Sequence, residues 1–208
     1  MIKAVIFDLD GVLIDARDWH YQALNRALGL FGLEIPRDDH IISYDGLPTK
    51  KKLEMLSVER GLPRQLHEFI NRMKQVYTME LIYSQCRPQF YHQYALSRLK
   101  KAGFKMAVCS NSVRETLDLM VGRADLTQYF EFTLSNQDVK APKPDPEIYS
   151  SAIKRLGLRP EECLIVEDNH NGVRAAQAAG AHVLKVGSVM EVNEATIFSK
   201  LGELGVAV

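Results

Sequence analysis

Four short apolar runs constrain the fold more than any other feature of this sequence. They read Ala4–Phe7, Lys105–Cys109, Cys163–Val166 and His182–Val186, with a weaker fifth at Phe132–Leu134. Runs of this length with abundant β-branched residues are typical of strands that are buried on both faces. Helical patterns separate the runs, and such alternation indicates a parallel sheet covered by helices on both sides. The sequence therefore predicts an α/β, Rossmann-like core.

Local signals place the helices between these strands. Ser112–Glu115 has the form of a capping box, so we predict that Ser112 caps a helix there. Asp145-Pro146 provides an N-cap and an N1 proline for a helix that ends near Leu156-Gly157. Asn171-Gly172 is expected to precede a further helix, and Gly180 stands where a C-terminal cap would.

The stretch that follows the first strand breaks this rhythm. It contains no convincing strand but several amphipathic helical patterns, so we expect a helical insert, the cap, at 16–86 between the core segments 1–15 and 87–208. The stripes that we expect to pack helix against helix are Trp19, Ala23, Ala27, Leu30 and Phe31, and then Leu66, Phe69, Ile70, Met73, Val76 and Tyr77.

Composition excludes several classes of protein. Apolar residues make up 46% of the 208 residues, and 26 basic side chains balance 26 acidic ones, which gives no sign of a nucleic-acid or membrane partner. No apolar run approaches the length of a membrane span or a signal peptide, so we expect a cytoplasmic protein, monomeric or dimeric. The three cysteines lack a C-x-x-C pair, and we interpret Cys109 and Cys163 as small core residues.

Polar residues follow three of the strands directly. Asp8 and Asp10 come after the first strand and share one side of the chain, and Gly11 allows a sharp turn. An isolated pair of this kind is equally compatible with solvated turn residues. Ser110 and Asn111 follow the second long strand and precede a helix N-terminus, a position that favours phosphate binding.

Two further groups complete the candidate site. Lys143 lies between prolines in a loop that leads into a helix, where it is either a surface charge or a fixed cation for phosphate. Glu167 and Asp168 end the strand at Cys163–Val166, so up to four carboxylates converge. Such a cluster requires a cation, and its hard oxygen ligands favour Mg²⁺.

The motifs DLDGV, SNS, KPDP and VED, in this order and each at a strand end, resemble those of the haloacid dehalogenase superfamily over essentially the whole chain. The helical insert resembles the cap of the subgroup with phosphoglycolate phosphatases and β-phosphoglucomutases. The resemblance implies that Asp8 attacks phosphorus and Asp10 is general acid and base. It also implies that Ser110 and Lys143 hold the phosphoryl group, and that Asp8, Asp168 and the Asp10 carbonyl bind Mg²⁺ with support from Glu167.

The resemblance leaves the substrate open. In the cap, His20 matches a histidine of β-phosphoglucomutases, and the segment Tyr44-Asp45-Gly46-Leu47-Pro48-Thr49-Lys50 corresponds to a specificity region. We expect His20, Thr49 and Lys50 to contact substrate, against the alternatives of a structural histidine and a solvated basic face. We expect a magnesium-dependent phosphatase of small phosphorylated metabolites. The alternatives are a sugar phosphomutase and a catalytically inactive binding protein with the same fold.

Overall fold

A computed structural model describes residues 1–44 and 47–206, so Asp45 and Gly46 of the predicted specificity region lie outside the described residues. The chain divides into two compact units. The first contains Met1–Asp15 with Cys86–Val208, and the second is Ala16–Gln85. Among the described residues, no helix is both long and apolar enough to cross a membrane.

The first unit is built on a parallel sheet. Its strands are β1 (Ala4–Phe7), β2 (Lys105–Cys109), β3 (Phe132–Leu134), β4 (Cys163–Glu167) and β5 (His182–Lys185), in the order β3-β2-β1-β4-β5. Every residue of β1 is buried, including both those that point to one face and those that point to the other. Both faces are therefore covered, which confirms the predicted Rossmann-like class and all five predicted strands.

The helices of the first unit are α5 (Phe90–Lys101), α6 (Arg114–Arg123), α7 (Glu147–Leu156), α8 (His170–Ala178) and α9 (Glu194–Glu203). Short 3₁₀ turns lie at Thr127–Tyr129, Pro160–Glu162 and Val189–Glu191. One core cluster joins α7 and α8 to one face of the sheet through Ile6, Ile148, Ile165 and Ala175. All three cysteines are buried and free, as expected for Cys109 and Cys163.

Three predicted helix starts need correction. Ser112 is not the cap of α6, because Val113 occupies the N-cap position and no side chain of that residue caps the helix. Asn169, rather than a site after Asn171-Gly172, caps α8 by accepting a hydrogen bond from the backbone N–H of Gly172. Asp145 does accept from the backbone N–H of Glu147, at 2.9 Å, although α7 begins one residue later than predicted.

The second unit is helical. It contains α1 (Arg17–Gly29), a single turn α2 (Arg37–Asp39), a π-helical turn (His40–Tyr44), α3 (Thr49–Arg60), a 3₁₀ turn (Arg64–Leu66) and α4 (His67–Gln85). Its core includes Leu24, Leu28, Leu53, Leu56 and Ile70. The predicted stripes are only partly buried: α1 ends at Gly29, which leaves Leu30 and Phe31 beyond it, and the rings of Phe31 and Phe69 meet edge to face on the surface.

His92 gives the first unit a measurable pH response. It is buried in α5, where its Nε2 donates to the carbonyl of Val189 at 3.0 Å. Burial lowers the pKa of His92 to about 4, although the bond to Val189 opposes the shift. The folded state therefore binds fewer protons than the unfolded state between the ordinary histidine pKa and pH 4. Stability from this group is complete above the ordinary pKa and is lost as pH falls towards 4.

We predict that replacing His92 with glutamine removes this dependence. Between pH 7 and pH 4 the wild type should lose about 2–3 kcal/mol more free energy of unfolding than His92→Gln, because only the wild type has a group that takes up a proton on unfolding and resists it when folded. Urea unfolding at a series of pH values measures the difference. Parallel curves for the two proteins would contradict the prediction.

Candidate active site

The candidate site lies at the carboxyl edge of the sheet, where β1, β2 and β4 end side by side. Asp8 follows β1 and its backbone N–H donates to the carbonyl of Val166 in β4 at 3.0 Å. Ser110 follows β2, and Glu167 and Asp168 stand at the end of β4. Parallel pairing places all these strand ends at one edge, because their register aligns Phe7 with both Val108 and Val166.

Lys143 links these strand ends. Its Nζ donates to Asp8 Oδ1 at 2.7 Å, to Glu167 Oε1 at 2.7 Å and to the carbonyl of Cys109 at 2.8 Å. The three donors of the ammonium are thus each used, and the side chain is only 3% exposed. Burial alone lowers the pKa of Lys143, but the charges of Asp8 and Glu167 outweigh it and the net pKa is raised. Lys143 is therefore a fixed, buried cation, and not a surface charge.

Glu167 is the most completely enclosed carboxylate of the site. Besides Lys143 it accepts from the hydroxyl of Tyr149, on α7, at 2.5 Å, and its Oε2 accepts from the backbone N–H of Asp168 at 3.1 Å. Burial, and then the charge of Glu167, raise the pKa of Tyr149 well above its usual value, so this hydroxyl remains a donor. The sequence does not indicate this contact of Tyr149, because a tyrosine on an amphipathic helix carries no signal beyond that of a core residue.

Asp8, Glu167 and Asp168 form a buried acidic cluster. Each offers a carboxylate oxygen, and these oxygens lie within 4.8 Å of one another. Burial, and next the charge of Glu167, raise the pKa of Asp8 well above its usual value, although Lys143 opposes this. One lysine therefore faces three carboxylates. The buried negative charge exceeds the buried positive charge, and the donors are hard oxygens. Mg²⁺ prefers such ligands, so these residues are suited to bind it.

Asp10 lies beside this cluster in a tight turn. Gly11, at a φ of 88°, forms the turn as predicted, and its N–H donates to the carbonyl of Ile14 at 2.7 Å. The carboxylate of Asp10 accepts through Oδ2 from Ser112 Oγ at 2.8 Å and from Ser110 Oγ at 3.4 Å. Ser110 and Asp10 are thus brought together, and Ser112, expected only to cap a helix, joins them.

Two asparagines form hydrogen bonds with residues of the site. Asn111 pairs with Lys143 in both directions: its Nδ2 donates to the lysine carbonyl at 3.3 Å, and its Oδ1 accepts from the lysine N–H at 3.0 Å. Asn169, which caps α8, also donates through Nδ2 to Asp168 Oδ1 at 3.1 Å. The sequence predicts a phosphate contact for Asn111 and no role for Asn169, although an asparagine directly after the acidic pair is a signal for a helix cap.

The other predicted substrate contacts belong to the second unit. His20 is on α1, where its Nδ1 accepts from Lys74 Nζ at 3.3 Å. Thr49 is the first residue of α3, and Lys50 is exposed in the first turn of that helix. Lys52 and Lys74 are buried.

The fold and the site together define a class of protein. The sequence profile of the haloacid dehalogenase-like hydrolases matches residues 5–186, so the chain belongs to that family. This confirms the resemblance inferred from the four motifs.

Relatives with known names agree with this class. The chain is 32% identical to a phosphorylated carbohydrates phosphatase of Thermotoga maritima, over 86% of this chain and 82% of the relative. It is 31% identical to a phosphoglycolate phosphatase of Photorhabdus laumondii, over 86% and 77%. The crystal structure of β-phosphoglucomutase from Clostridium difficile covers 100% of both chains with a TM-score of 0.80 and 23% identity, which shows a shared fold. The expectation of a hydrolase of the phosphatase type is confirmed.

Gly172 is a further constraint on the site. A Cβ at this position, in the first turn of α8, would lie 1.8 Å from Glu167 Oε1. We predict that Gly172→Ala forces Glu167 away from Lys143 and Tyr149 and lowers kcat/KM for an aryl phosphate by about 10²-fold or more, the usual cost of displacing a site by 1 Å.

Gly122, on α6, provides the matched control, since a Cβ there meets nothing within 4 Å. Gly122→Ala should keep full activity and gain up to about 1 kcal/mol of stability. Activity of Gly172→Ala equal to that of Gly122→Ala would show that Glu167 has no part in the reaction.

Proposed function

We propose that the chain is a magnesium-dependent phosphatase of small phosphorylated metabolites that forms an aspartyl-phosphate on Asp8. The observation that carries the proposal is the buried contact of Lys143 with both Asp8 and Glu167, in a cluster completed by Asp168. A carboxylate held against a fixed cation, at the carboxyl edge of a sheet, suits attack on a phosphate ester.

The metal would be held by Asp8, Asp168 and the backbone carbonyl of Asp10, with Glu167 as a supporting carboxylate. When bound, Mg²⁺ supplies positive charge that offsets the repulsion between the carboxylates and an anionic substrate. Lys143 already bonds two of these carboxylates, so it holds both in place before substrate binds. A phosphoryl oxygen would replace Asp8 as one of its three acceptors.

Hydrolysis then takes two displacements at phosphorus. First, an oxygen of Asp8 bonds to phosphorus while the ester P–O bond breaks, and protonated Asp10 gives its proton to the leaving oxygen. Second, water attacks the phosphoryl group on Asp8, Asp10 takes the proton of that water, and the carboxylate of Asp8 leaves. Lys143, Ser110 and Asn111 would hold the phosphoryl oxygens as negative charge spreads over them.

The relatives support a proposal for the substrate class. Those at 31–32% identity act, by their names, on phosphorylated carbohydrates and on phosphoglycolate, so we propose a sugar phosphate or a similar small monoester. His20, Thr49 and Lys50 are proposed to bind the part of the substrate that does not react. Because both of these relatives are named phosphatases, we propose release of inorganic phosphate over its return to a sugar.

We predict that hydrolysis of an aryl phosphate requires Mg²⁺, because three carboxylates and one lysine cannot accept a phosphate dianion uncompensated. Phosphate release should stop in excess EDTA and return when Mg²⁺ is restored. Ca²⁺ should support the reaction poorly, since it takes more ligands in looser geometry. Activity that persists in excess EDTA would refute the proposed metal dependence.

A panel of phosphate monoesters with Mg²⁺ tests the reaction itself. Sugar phosphates assayed for both phosphate release and isomer formation, with and without a hexose bisphosphate, separate a phosphatase from a mutase. We expect phosphate release without need of a bisphosphate. Isomer formation that depends on the bisphosphate would identify a mutase, and binding without turnover of any ester would identify a catalytically inactive binding protein.

A further inference from the structure

Ser112 contacts the carboxylate of Asp10 more closely than Ser110 does. Its Oγ donates to Asp10 Oδ2 at 2.8 Å, whereas Ser110 Oγ lies 3.4 Å from the same oxygen. A hydroxyl at 2.8 Å from a carboxylate is an ordinary charge-assisted hydrogen bond, and one at 3.4 Å is weak. The orientation of the Asp10 carboxylate therefore depends more on Ser112 than on Ser110.

The hydroxyl of Ser112 does not cap α6. The residue that normally caps a helix is the one directly before its first residue, and here that is Val113, so Ser112 lies one residue outside the cap position. Here the N–H of Arg114, the first residue of α6, donates to Gln137 Oε1 at 2.8 Å. Gln137 follows β3, so the cap is supplied by a neighbouring loop. Ser112 thus does not have the capping role predicted for it, and its hydroxyl donates to Asp10 instead.

The backbone of Ser112 is held on both sides. Its N–H donates to Ser110 Oγ at 3.0 Å, and its carbonyl accepts from the N–H of Asn136 at 3.2 Å. These bonds connect the residue to the ends of β2 and β3. The hydroxyl therefore approaches Asp10 from a fixed position, and not from a mobile loop.

We propose that Ser112 is a positioning residue: it holds Asp10 by Oδ2 so that the carboxyl group can pass its proton to the leaving oxygen. The inference rests on the proposed function, in which Asp10 is the general acid. Ser110 is assigned there to the phosphoryl group, so its weak bond to Asp10 is the one that substrate would replace. Ser112 then remains as a contact that orients Asp10 while the ester P–O bond breaks and the bonding electron pair passes to the leaving oxygen.

Two substrates distinguish this role from a structural one. 4-Nitrophenyl phosphate has a leaving group that departs without much help from an acid, whereas an alkyl phosphate must be protonated as it leaves. The alkyl ester is the one in the panel that the wild type hydrolyses fastest. The ratio of kcat/KM for the two esters reports proton transfer in the first displacement, and it is insensitive to the amount of folded enzyme.

We expect Ser112→Ala to lower kcat/KM for the alkyl phosphate by about 10–100-fold and for 4-nitrophenyl phosphate by less than about 3-fold, a part of the usual 10²–10⁴-fold worth of an acid. Ser112→Thr, which keeps the hydroxyl, should restore the alkyl rate. Gln137→Ala is the matched control, because it removes the cap of α6 and leaves the hydroxyl on Asp10. It should lower Tm and leave the ratio of the two rate constants unchanged.

The variant Asp10→Asn tests the general-acid role of Asp10 separately from the positioning role of Ser112. If Asp10→Asn shows no greater loss on the alkyl ester, the general-acid role fails and the proposed function needs revision. If Asp10→Asn lowers kcat/KM more for the alkyl ester than for the aryl ester while Ser112→Ala lowers both equally, that result overturns only the positioning role of Ser112. In the Asp10→Asn background, Ser112→Ala should cost less than about 2-fold on the alkyl ester, since nothing remains to orient for proton transfer. If Ser112→Ala lowered the alkyl rate in the Asp10→Asn background as much as it does in the wild type, the positioning role would also be overturned.

Discussion

The buried ammonium of Lys143 is the interaction on which the rest of the site depends. It connects Asp8 after β1, the carbonyl of Cys109 at the end of β2 and Glu167 at the end of β4. Three strand ends are thus joined by one side chain from a loop that lies outside the sheet. Burying a charge is costly unless it is fully paired, and this lysine has an acceptor for every donor. Removing any one partner would leave the others buried and incompletely compensated.

Neighbouring residues stabilise the ion pair between Lys143 and Glu167. The hydroxyl of Tyr149 donates to Glu167 while its ring lies 4.6 Å from Lys143 Nζ, so one residue contacts both members of the ion pair. The absence of a side chain at Gly172 leaves the space that the Glu167 carboxylate occupies. The cluster still contains more buried negative than positive charge, which is the electrostatic reason to expect a metal ion there.

The sequence predicted the sheet, and with it the grouping of Asp8, Glu167 and Asp168 at one edge, for physical reasons that are local. Apolar runs such as Ala4–Phe7 that alternate with helices are typical of a parallel sheet covered on both faces, and the polar residues that follow neighbouring strands meet at one edge. The errors came where a distant residue replaced a local partner. Gln137 caps α6 in place of Ser112, and Tyr149 reaches Glu167 across the fold. Neither contact leaves a signal in the sequence near the residue concerned.

The identity of the attacking atom is the central claim, and trapping the intermediate tests it most directly. Enzyme mixed with a slowly hydrolysed phosphate ester and Mg²⁺ is quenched in acid, digested and examined by mass spectrometry, with Asp8→Asn as the control. We predict one added phosphoryl group, labile to hydroxylamine, on the peptide that contains Asp8, and none in the Asp8→Asn protein. A phosphoryl group on a different residue, or none during steady turnover of wild type under conditions where the second displacement limits the rate, would contradict the account.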